Sequence, residues 1–210
     1  MSPRGKQANG LLTQQKMLRA AVALFLEKGY GKTTTAEIAE AAGMAQSSFF
    51  RAFSSKEALF ASIVEPHAKA LMSRFMDAQL SFAKLPEKEK ITHVGVESGS
   101  CLRWMVDYIC EHREPVQLLI CGADGTDYEN FIHNMVEVEV ESTMQYVETL
   151  RSLGYEGHEL SHSLCHIIAS GMLGGIFEIV IHDMPKEEAM RDVEQLREFY
   201  TAGWLKLFPI

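Results

Sequence analysis

Apolar side chains recur every three to four residues along almost the whole chain, and almost no segment alternates apolar and polar residues as a strand does. Glycine and proline interrupt this pattern at intervals, for example at Gly29, Gly43, Pro115, Gly154 and Pro185, and such residues end helices. The sequence therefore predicts an all-α protein. Helices are expected at about 13–28, 34–42, 45–53, 54–82, 92–112, 114–121, 126–153, 157–183 and 186–207.

The predicted helices divide into a small three-helix head, residues 1–60, and a larger helical domain, residues 61–210. The head carries eight Lys and Arg against four Asp and Glu, a net charge of +4, whereas the remainder carries −12. A basic head on an acidic body indicates that only the head meets a polyanion. The cysteines show no paired spacing typical of zinc or disulfide frameworks, and the N-terminus lacks a signal-peptide pattern, so a cytoplasmic protein is predicted.

The segment from Thr34 to Phe53 predicts a helix-turn-helix. Thr34 and Glu37 have the spacing of a capping box that opens the first short helix, and Gly43 supplies the turn. Ala39 is small enough to let the two helices cross closely. The exposed face of the second short helix is then free to enter a DNA major groove about 12 Å wide. That face consists of Gln46, Ser47, Ser48, Phe50 and Arg51.

Residues 16–59 resemble the N-terminal domain of TetR-family transcriptional regulators over about a fifth of the chain. The matching features are Ala20-Ala21, Leu24-Phe25, Gly29-Tyr30, Thr33-Thr34, Ile38-Ala39, Ala42-Gly43, Phe49, Phe53, Lys56 and Leu59. Three positions depart from the usual pattern. Ala45 replaces the usual capping residue of the recognition helix, Phe50 replaces a phosphate-binding tyrosine, and Ala52 replaces an aromatic residue or histidine. With these residues the recognition helix lacks its usual side-chain cap and one phosphate-binding hydroxyl.

The resemblance implies that the head binds double-stranded DNA. By matched position, Thr33, Thr34, Ser48 and Lys56 are the expected phosphate ligands. Gln46, Ser47 and Arg51 are the expected base readers, since glutamine pairs with adenine and arginine with guanine. For the two serines, plain exposure to solvent is an equal alternative.

The resemblance also implies a small-molecule site among the middle helices. Aromatic and methionine side chains at helical spacing suit an apolar or planar ligand, and one histidine could face its polar group. For each of these side chains, ordinary core packing is the alternative. The predicted ligand-binding residues are Trp104, Tyr108, Phe131, Met135, His166 and Phe177.

Regulators of this type form homodimers through their last two helices, and two apolar stripes here fit that arrangement. Glycines on the first stripe would let a second chain approach closely. The alternative is that both stripes pack within one subunit. The predicted interface residues are Leu164, Ile168, Gly171, Gly175, Ile179, Tyr200 and Trp204.

His158, His162 and His166 follow one another by four on one predicted helix, but no carboxylate shares their face, so no metal site is predicted. No catalytic motif and no cofactor-binding loop is found, and the apolar stretch 164–181 is interpreted as an interface helix rather than a membrane span. The functional hypothesis is a repressor that binds a palindromic operator and is released by a small molecule. Two alternatives stay open: a redox-responsive regulator using Cys101, Cys110 or Cys165, and a ligand-binding protein with weakened DNA binding.

Overall fold

A computed structural model describes residues 3–92 and 96–207, which contain ten α-helices and no strand. The predicted all-α fold is confirmed. In chain order the helices are α1 (Pro3–Lys28), α2 (Thr35–Ala41), α3 (Gln46–Ala52), α4 (Lys56–Ala83), α5 (Glu87–Thr92), α6 (Val96–Glu111), α7 (Arg113–Cys121), α8 (Phe131–Ser152), α9 (His162–Ile181) and α10 (Lys186–Leu207).

The predicted capping box at the start of α2 is present. The Thr34 hydroxyl accepts a hydrogen bond from the Glu37 backbone N–H at 3.3 Å, and the Glu37 carboxylate accepts one from the Thr34 backbone N–H at 2.8 Å. Each group satisfies a backbone donor that the first turn leaves without a helical partner. The helix-turn-helix therefore starts where its sequence predicts.

The beginnings of α1 and α4 differ from the prediction. α1 starts at Pro3, ten residues before the predicted start at residue 13. α4 starts at Lys56, two residues after the predicted start at residue 54, and Ser55 Oγ accepts a hydrogen bond from the Ala58 backbone N–H at 3.1 Å. Pro66 lies inside α4, which continues to Ala83. The single predicted range 54–82 is thus matched by one helix.

The described residues up to Lys69 and the segment Arg113–Glu129 form one compact unit. α2 and α3 pack against each other and against α1. α7 packs against α1 as well, with Val116, Leu118 and Leu119 buried. The unit is thus larger than the predicted head, which ended at residue 60.

A second unit is formed by Ala70–His112, where described, and by the described residues from Asn130 on. α9 packs against α6, α8 and α10, and α10 also packs against α6. Length and composition alone would let α9 cross a membrane, with a mean hydropathy of 1.9. Seven of its residues are buried within this unit, as in the core helix of a helical domain.

Candidate DNA-binding surface and ligand cavity

The exposed side of α3 is the candidate DNA-reading surface. Phe49 is fully buried and anchors the helix, whereas Gln46, Ser47 and Arg51 are exposed on its outer face. Arg51 Nη2 donates a hydrogen bond to Ser48 Oγ at 2.9 Å. The structure thus brings the predicted base-reading side chains together on one surface.

Phe50 also belongs to this surface, and 57% of it is exposed. Its ring packs edge-on against Phe49, with 5.3 Å between the ring centres. A phenyl ring has no hydroxyl for a phosphate, but it can contact the methyl group of thymine in a major groove. The substitution of phenylalanine for the family's tyrosine changes the chemistry of the surface from polar to apolar at this point.

Two of the predicted phosphate ligands have internal partners instead. Thr33 is 1% exposed, and its hydroxyl donates to the Gly29 carbonyl at 2.8 Å. Lys56 Nζ donates to the carbonyls of Tyr30 at 2.8 Å and Thr33 at 3.0 Å, and lies 4.0 Å from the centre of the Tyr30 ring. These side chains hold the loop between α1 and α2. Lys56 is only half-buried, and an ammonium group has three donors, so its role as a phosphate ligand stays a prediction. Thr34 stays exposed.

Tyr30 links the same loop to the start of α4. Its hydroxyl donates to Glu57 Oε1 at 2.9 Å, and its ring packs against those of Phe25 and Phe60. Burial, together with the Glu57 hydrogen bond, raises the pKa of Tyr30. The pKa of Glu57 is lowered, mainly because a backbone N–H at the start of α4 donates to its carboxylate. Hydrogen bonds therefore join the loop between α1 and α2 to the start of α4, the helix that follows the candidate DNA-reading helix α3.

The second unit encloses a cavity of about 170 Å³. This volume lies below the range of about 300–1,000 Å³ common for drug-sized ligands, and is close to that of an engineered cavity of about 150 Å³ that binds benzene. Large apolar side chains dominate its wall. They are Phe75, Phe82, Leu102, Tyr146, Leu150, Met172, Tyr200, Trp204 and Leu205.

The predicted ligand-binding residues do not line this cavity. Trp104 and Tyr108 instead stack on each other, with ring centres 4.8 Å apart and planes 23° apart. Phe131, Met135 and Phe177 are core residues no more than 6% exposed. His166 contacts Glu137. Helical spacing shows which residues share a face, but not whether that face borders a void. A ligand role for Trp104, Tyr108, Phe131, Met135, His166 and Phe177 therefore stays a prediction that this cavity does not support.

Two residues predicted at the dimer interface, Tyr200 and Trp204, line the cavity. A Cβ atom on Gly171 would lie 2.6 Å from Tyr200 Oη, and one on Gly175 would lie 2.9 Å from Leu196 Cδ2. Because these glycines have no side chains, α10 of the same chain can pack closely against α9. This packing fits the alternative that both apolar stripes pack within one subunit.

The remaining predicted interface residues are divided between core and surface. Ile179 is 1% exposed and belongs to the core of the second unit, and Ile168 is half-buried. Leu164 is 38% exposed, and two residues not predicted, Ile167 and Phe199, are 67% and 72% exposed. With Ile181, 50% exposed, and Leu205, 41% exposed, these side chains are the large exposed apolar groups of α9 and α10 that a partner could cover.

A short polar chain lies at the cavity wall. The Ser142 hydroxyl donates to Gln79 Oε1 at 2.7 Å, and Gln79 Nε2 donates to Glu139 Oε2 at 2.5 Å. Burial raises the pKa of the Glu139 carboxyl, although hydrogen bonds from Gln79 and Thr143 act in the opposite direction. A carboxyl group in this setting can accept a hydrogen bond when ionised and donate one when protonated.

Tyr146 supplies a second polar group. Its ring packs edge-on against Phe82, with ring centres 5.1 Å apart. Its buried hydroxyl has no hydrogen-bond partner among the described residues, and burial raises its pKa to about 12. A buried unpaired hydroxyl costs about 1–3 kcal/mol. A ligand with a polar atom at this point would remove that cost.

Sequence reasoning missed Glu139 as a cavity residue. A signal was present, because Glu139 follows the core residue Met135 by four positions and precedes Tyr146 by seven. Both spacings place the carboxylate on the apolar stripe of α8. The residues Phe75 and Phe82 of α4 carried no signal that distinguished them from core residues.

Residues 17–63 match the sequence model of bacterial regulatory proteins of the tetR family. The N-terminal domain is that of a tetR-family regulator. The HTH-type transcriptional regulator YvkB of Bacillus subtilis (strain 168) is 26% identical over 145 residues, which cover 69% of each chain. The resemblance to TetR-family regulators is thus confirmed for this domain.

Solved structures of tetR-family regulators share the fold of the whole chain. A TetR-family transcriptional regulator from Bordetella parapertussis 12822 has a TM-score of 0.63 at 18% identity, covering 92% of this chain and 96% of its own. FadR from Bacillus subtilis, crystallised with stearoyl-CoA, has a TM-score of 0.55 at 14% identity, covering 90% of this chain and 98% of its own. At these identities the likeness shows the fold alone.

Two of the chain's cysteines lie in surroundings that oppose oxidation. Cys101 and Cys165 are buried, and burial raises the pKa of the Cys101 thiol to about 11 and also raises that of Cys165. Because the thiolate is the reactive form, both side chains favour the unreactive thiol. Cys110 is half-buried and Cys121 exposed.

The predicted histidine stripe is interrupted. His158 precedes α9, and its backbone N–H donates to the Leu207 carbonyl at 3.0 Å. His162 is the first residue of α9, and His166 Nε2 lies 3.2 Å from Glu137 Oε1 of α8. The predicted helix began at residue 157, so it placed His158 on a helical face that this residue does not occupy.

Proposed function

We propose that this tetR-family regulator is a cytoplasmic repressor that binds a palindromic operator as a homodimer and leaves it when a small, largely apolar aromatic molecule occupies the cavity. The observation that carries the proposal is the cavity of about 170 Å³ inside the second unit. Natural cores are closely packed, and voids larger than a water molecule are few. An aromatic-lined cavity with an unpaired hydroxyl and a buried carboxyl suits a ligand that has both a ring and a polar group.

The size of the cavity favours a ligand of about one ring. It resembles the engineered cavity of about 150 Å³ that holds benzene, and is small beside the pockets that enclose drug-sized molecules. FadR of Bacillus subtilis, which shares the fold, was crystallised with stearoyl-CoA. A long acyl chain is a much larger ligand, so the two ligand classes can be separated by experiment.

Charge supports DNA binding through residues 1–60, the part of the chain that contains the helix-turn-helix. The net charge of residues 1–60 is +4, and that of the rest of the chain is −12. Gln46, Ser47 and Arg51 are exposed together on α3, where they could reach base edges. Two such surfaces in a dimer would read half-sites one helical turn apart, about 34–36 Å, or a multiple of that distance.

Release by a ligand requires that the ligand binds the DNA-free state more tightly than the DNA-bound state. α4 is the element that can carry the coupling, because Lys56–Lys69 belongs to the first unit and Ala70–Ala83 to the second. Phe75, Ala78, Gln79 and Phe82 of α4 line the cavity. A ligand that shifts these side chains therefore acts on the helix that follows the helix-turn-helix.

Tryptophan fluorescence tests the cavity directly. Trp204 lines it and Trp104 does not, so the variants Trp104→Phe and Trp204→Phe form a matched pair. We expect phenol, aniline or indole to quench the emission of the Trp104→Phe variant, which retains Trp204, with saturation. The Trp204→Phe variant should give no saturable change. Saturable binding of stearoyl-CoA but none of the one-ring compounds would contradict the proposed ligand size.

DNA binding is tested by gel shift with DNA from beside the protein's own gene and with random-sequence DNA at low salt. Arg51→Ala should weaken binding and change the base preference, while Arg191→Ala, an exposed residue of the second unit, should change neither. Affinity should fall steeply with salt, since phosphate neutralisation releases counterions. Absence of any shift at low salt would favour a ligand-binding protein that has lost DNA binding.

A further inference from the structure

Three side chains of α8 and α9 converge outside the cavity. His133 and Glu137 are four residues apart on α8, and His166 lies on α9. His166 Nε2 is 3.2 Å from Glu137 Oε1, and His133 Nε2 is 3.9 Å from the same oxygen. One ligand atom from each of the three lies within 4.8 Å of the others. Among the described residues this is the one such group of three.

The separations suit a single metal ion. Two ligands that bind tetrahedral zinc at about 2.0–2.1 Å stand about 3.3 Å apart. The His166–Glu137 separation is already at that value, and the others exceed it by amounts that side-chain rotation can close. His133, Glu137 and His166 are 56%, 44% and 34% exposed, so their rings and carboxylate have room to turn.

The second ring nitrogen of His166 also has a suitable partner. Ser170 Oγ lies 3.3 Å from His166 Nδ1. In a histidine that binds a metal, the ring nitrogen facing away from the metal usually donates a hydrogen bond of this kind. That hydrogen bond fixes the tautomer and the ring orientation. In a metal-bound site, Nδ1–H would donate to Ser170 Oγ, and the unprotonated Nε2, which lies on the Glu137 side, would hold the ion.

We propose that His133, Glu137 and His166 bind one divalent transition-metal ion of the zinc class, with the remaining coordination position open to water. Imidazole nitrogens select zinc, cobalt, nickel or copper over magnesium and calcium, which prefer oxygen ligands only. The site joins α8 to α9 and is distinct from the residues that line the cavity. The sequence prediction of no metal site considered only histidines along one helix, whereas these ligands come from two.

The test uses the full-length, tag-free protein after chelator treatment, with Co²⁺ as the probe. One equivalent per chain should produce the visible absorption of low-coordinate cobalt, and Zn²⁺ should abolish it. His133→Ala and His166→Ala should each weaken Co²⁺ binding at least about 10-fold, and Ser170→Ala about 10-fold. Glu137→Gln should weaken it as well, while keeping the shape of the side chain.

His182→Ala is the matched control. His182 Nε2 lies 2.8 Å from Glu178 Oε2 at the same four-residue spacing, without a third ligand among the described residues. Its variant should bind Co²⁺ as the unmodified protein does. Unchanged binding in His133→Ala or His166→Ala, or no cobalt absorption in the unmodified protein, would overturn the proposal. The measurement involves no DNA and no aromatic ligand, so its failure and that of the proposed function are separate results.

Discussion

Tyr30 in the first unit and Tyr146 in the second differ in what their hydroxyls contact. The Tyr30 hydroxyl donates to Glu57 at 2.9 Å, and its ring lies among Phe25, Phe60 and the Lys56 ammonium group. The Tyr146 hydroxyl is buried without a partner among the described residues, beside a cavity of about 170 Å³. The Tyr30 hydroxyl is thus satisfied by the protein itself, whereas the Tyr146 hydroxyl could pair with a bound ligand.

The difference corresponds to two kinds of recognition. A surface that reads base edges must hold its side chains in one geometry before it meets DNA, and satisfied contacts in the loop and helix starts provide that rigidity. A domain that responds to a small molecule needs internal space and unpaired polar groups, both of which lower its stability without ligand. The following substitutions compare the two units, beginning with the largest expected effect.

Phe60→Ala should destabilise the first unit by about 3–5 kcal/mol, because Phe60 is fully buried and packs against three aromatic rings. Phe82→Ala, at the cavity wall, should cost less than about 3 kcal/mol, since part of its ring already borders empty space. Urea unfolding of both variants measures the difference. Equal losses would show that the cavity side chains are packed as tightly as the first unit.

Ala39→Leu and Ala78→Leu add the same atoms in the two units. Ala39 is 1% exposed where α2 meets the turn, so overpacking should cost about 1–3 kcal/mol. Ala78 lines the cavity, where a leucine should range from neutral to a gain of about 1 kcal/mol. Thermal unfolding gives the stabilities, and Ala78→Leu should also lose the saturable fluorescence response. A large loss of stability in Ala78→Leu would mean that the void is not available.

Helix caps provide a comparison within the first unit. Thr34→Ala removes the capping box of α2 and should cost about 1 kcal/mol. Ala45 has extended backbone angles, φ −69° and ψ 147°, but no side-chain oxygen to cap α3. Ala45→Ser should therefore stabilise the unit by up to about 1 kcal/mol. Hydrogen exchange at the start of each helix checks both changes, and faster exchange in Ala45→Ser would contradict the second.

The two tyrosines give the smallest contrast. Tyr30→Phe loses the hydrogen bond to Glu57 and should cost about 0.5–1.5 kcal/mol. Tyr146→Phe removes an unpaired buried hydroxyl and should be neutral or stabilising by up to about 1 kcal/mol. Unfolding curves of the two variants, recorded side by side, decide the sign. A destabilised Tyr146→Phe would indicate a hydroxyl partner, such as bound water.

The sequence by itself determined the helix-turn-helix. Thr34, Glu37 and Gly43 act within a few residues of their own positions, so local rules of capping and turn formation place α2 and α3 correctly. Gly43 has φ +71°, the left-handed conformation that glycine adopts without strain. The outward side of α3 followed from the same local pattern, because burial of Phe49 fixes which residues face outward.

Only the tertiary structure decided where the cavity lies and which side chains converge across helices. Tyr200 and Trp204 were assigned to a dimer interface from an apolar stripe, yet they border the cavity in their own chain. His133, Glu137 and His166 met because α8 packs against α9. Periodicity specifies which residues share a helix face. Contacts between distant segments decide whether that face borders a void, another helix or a second chain. That is the physical reason why the helices of the helix-turn-helix were predicted closely, whereas the second unit was predicted only as a class of fold.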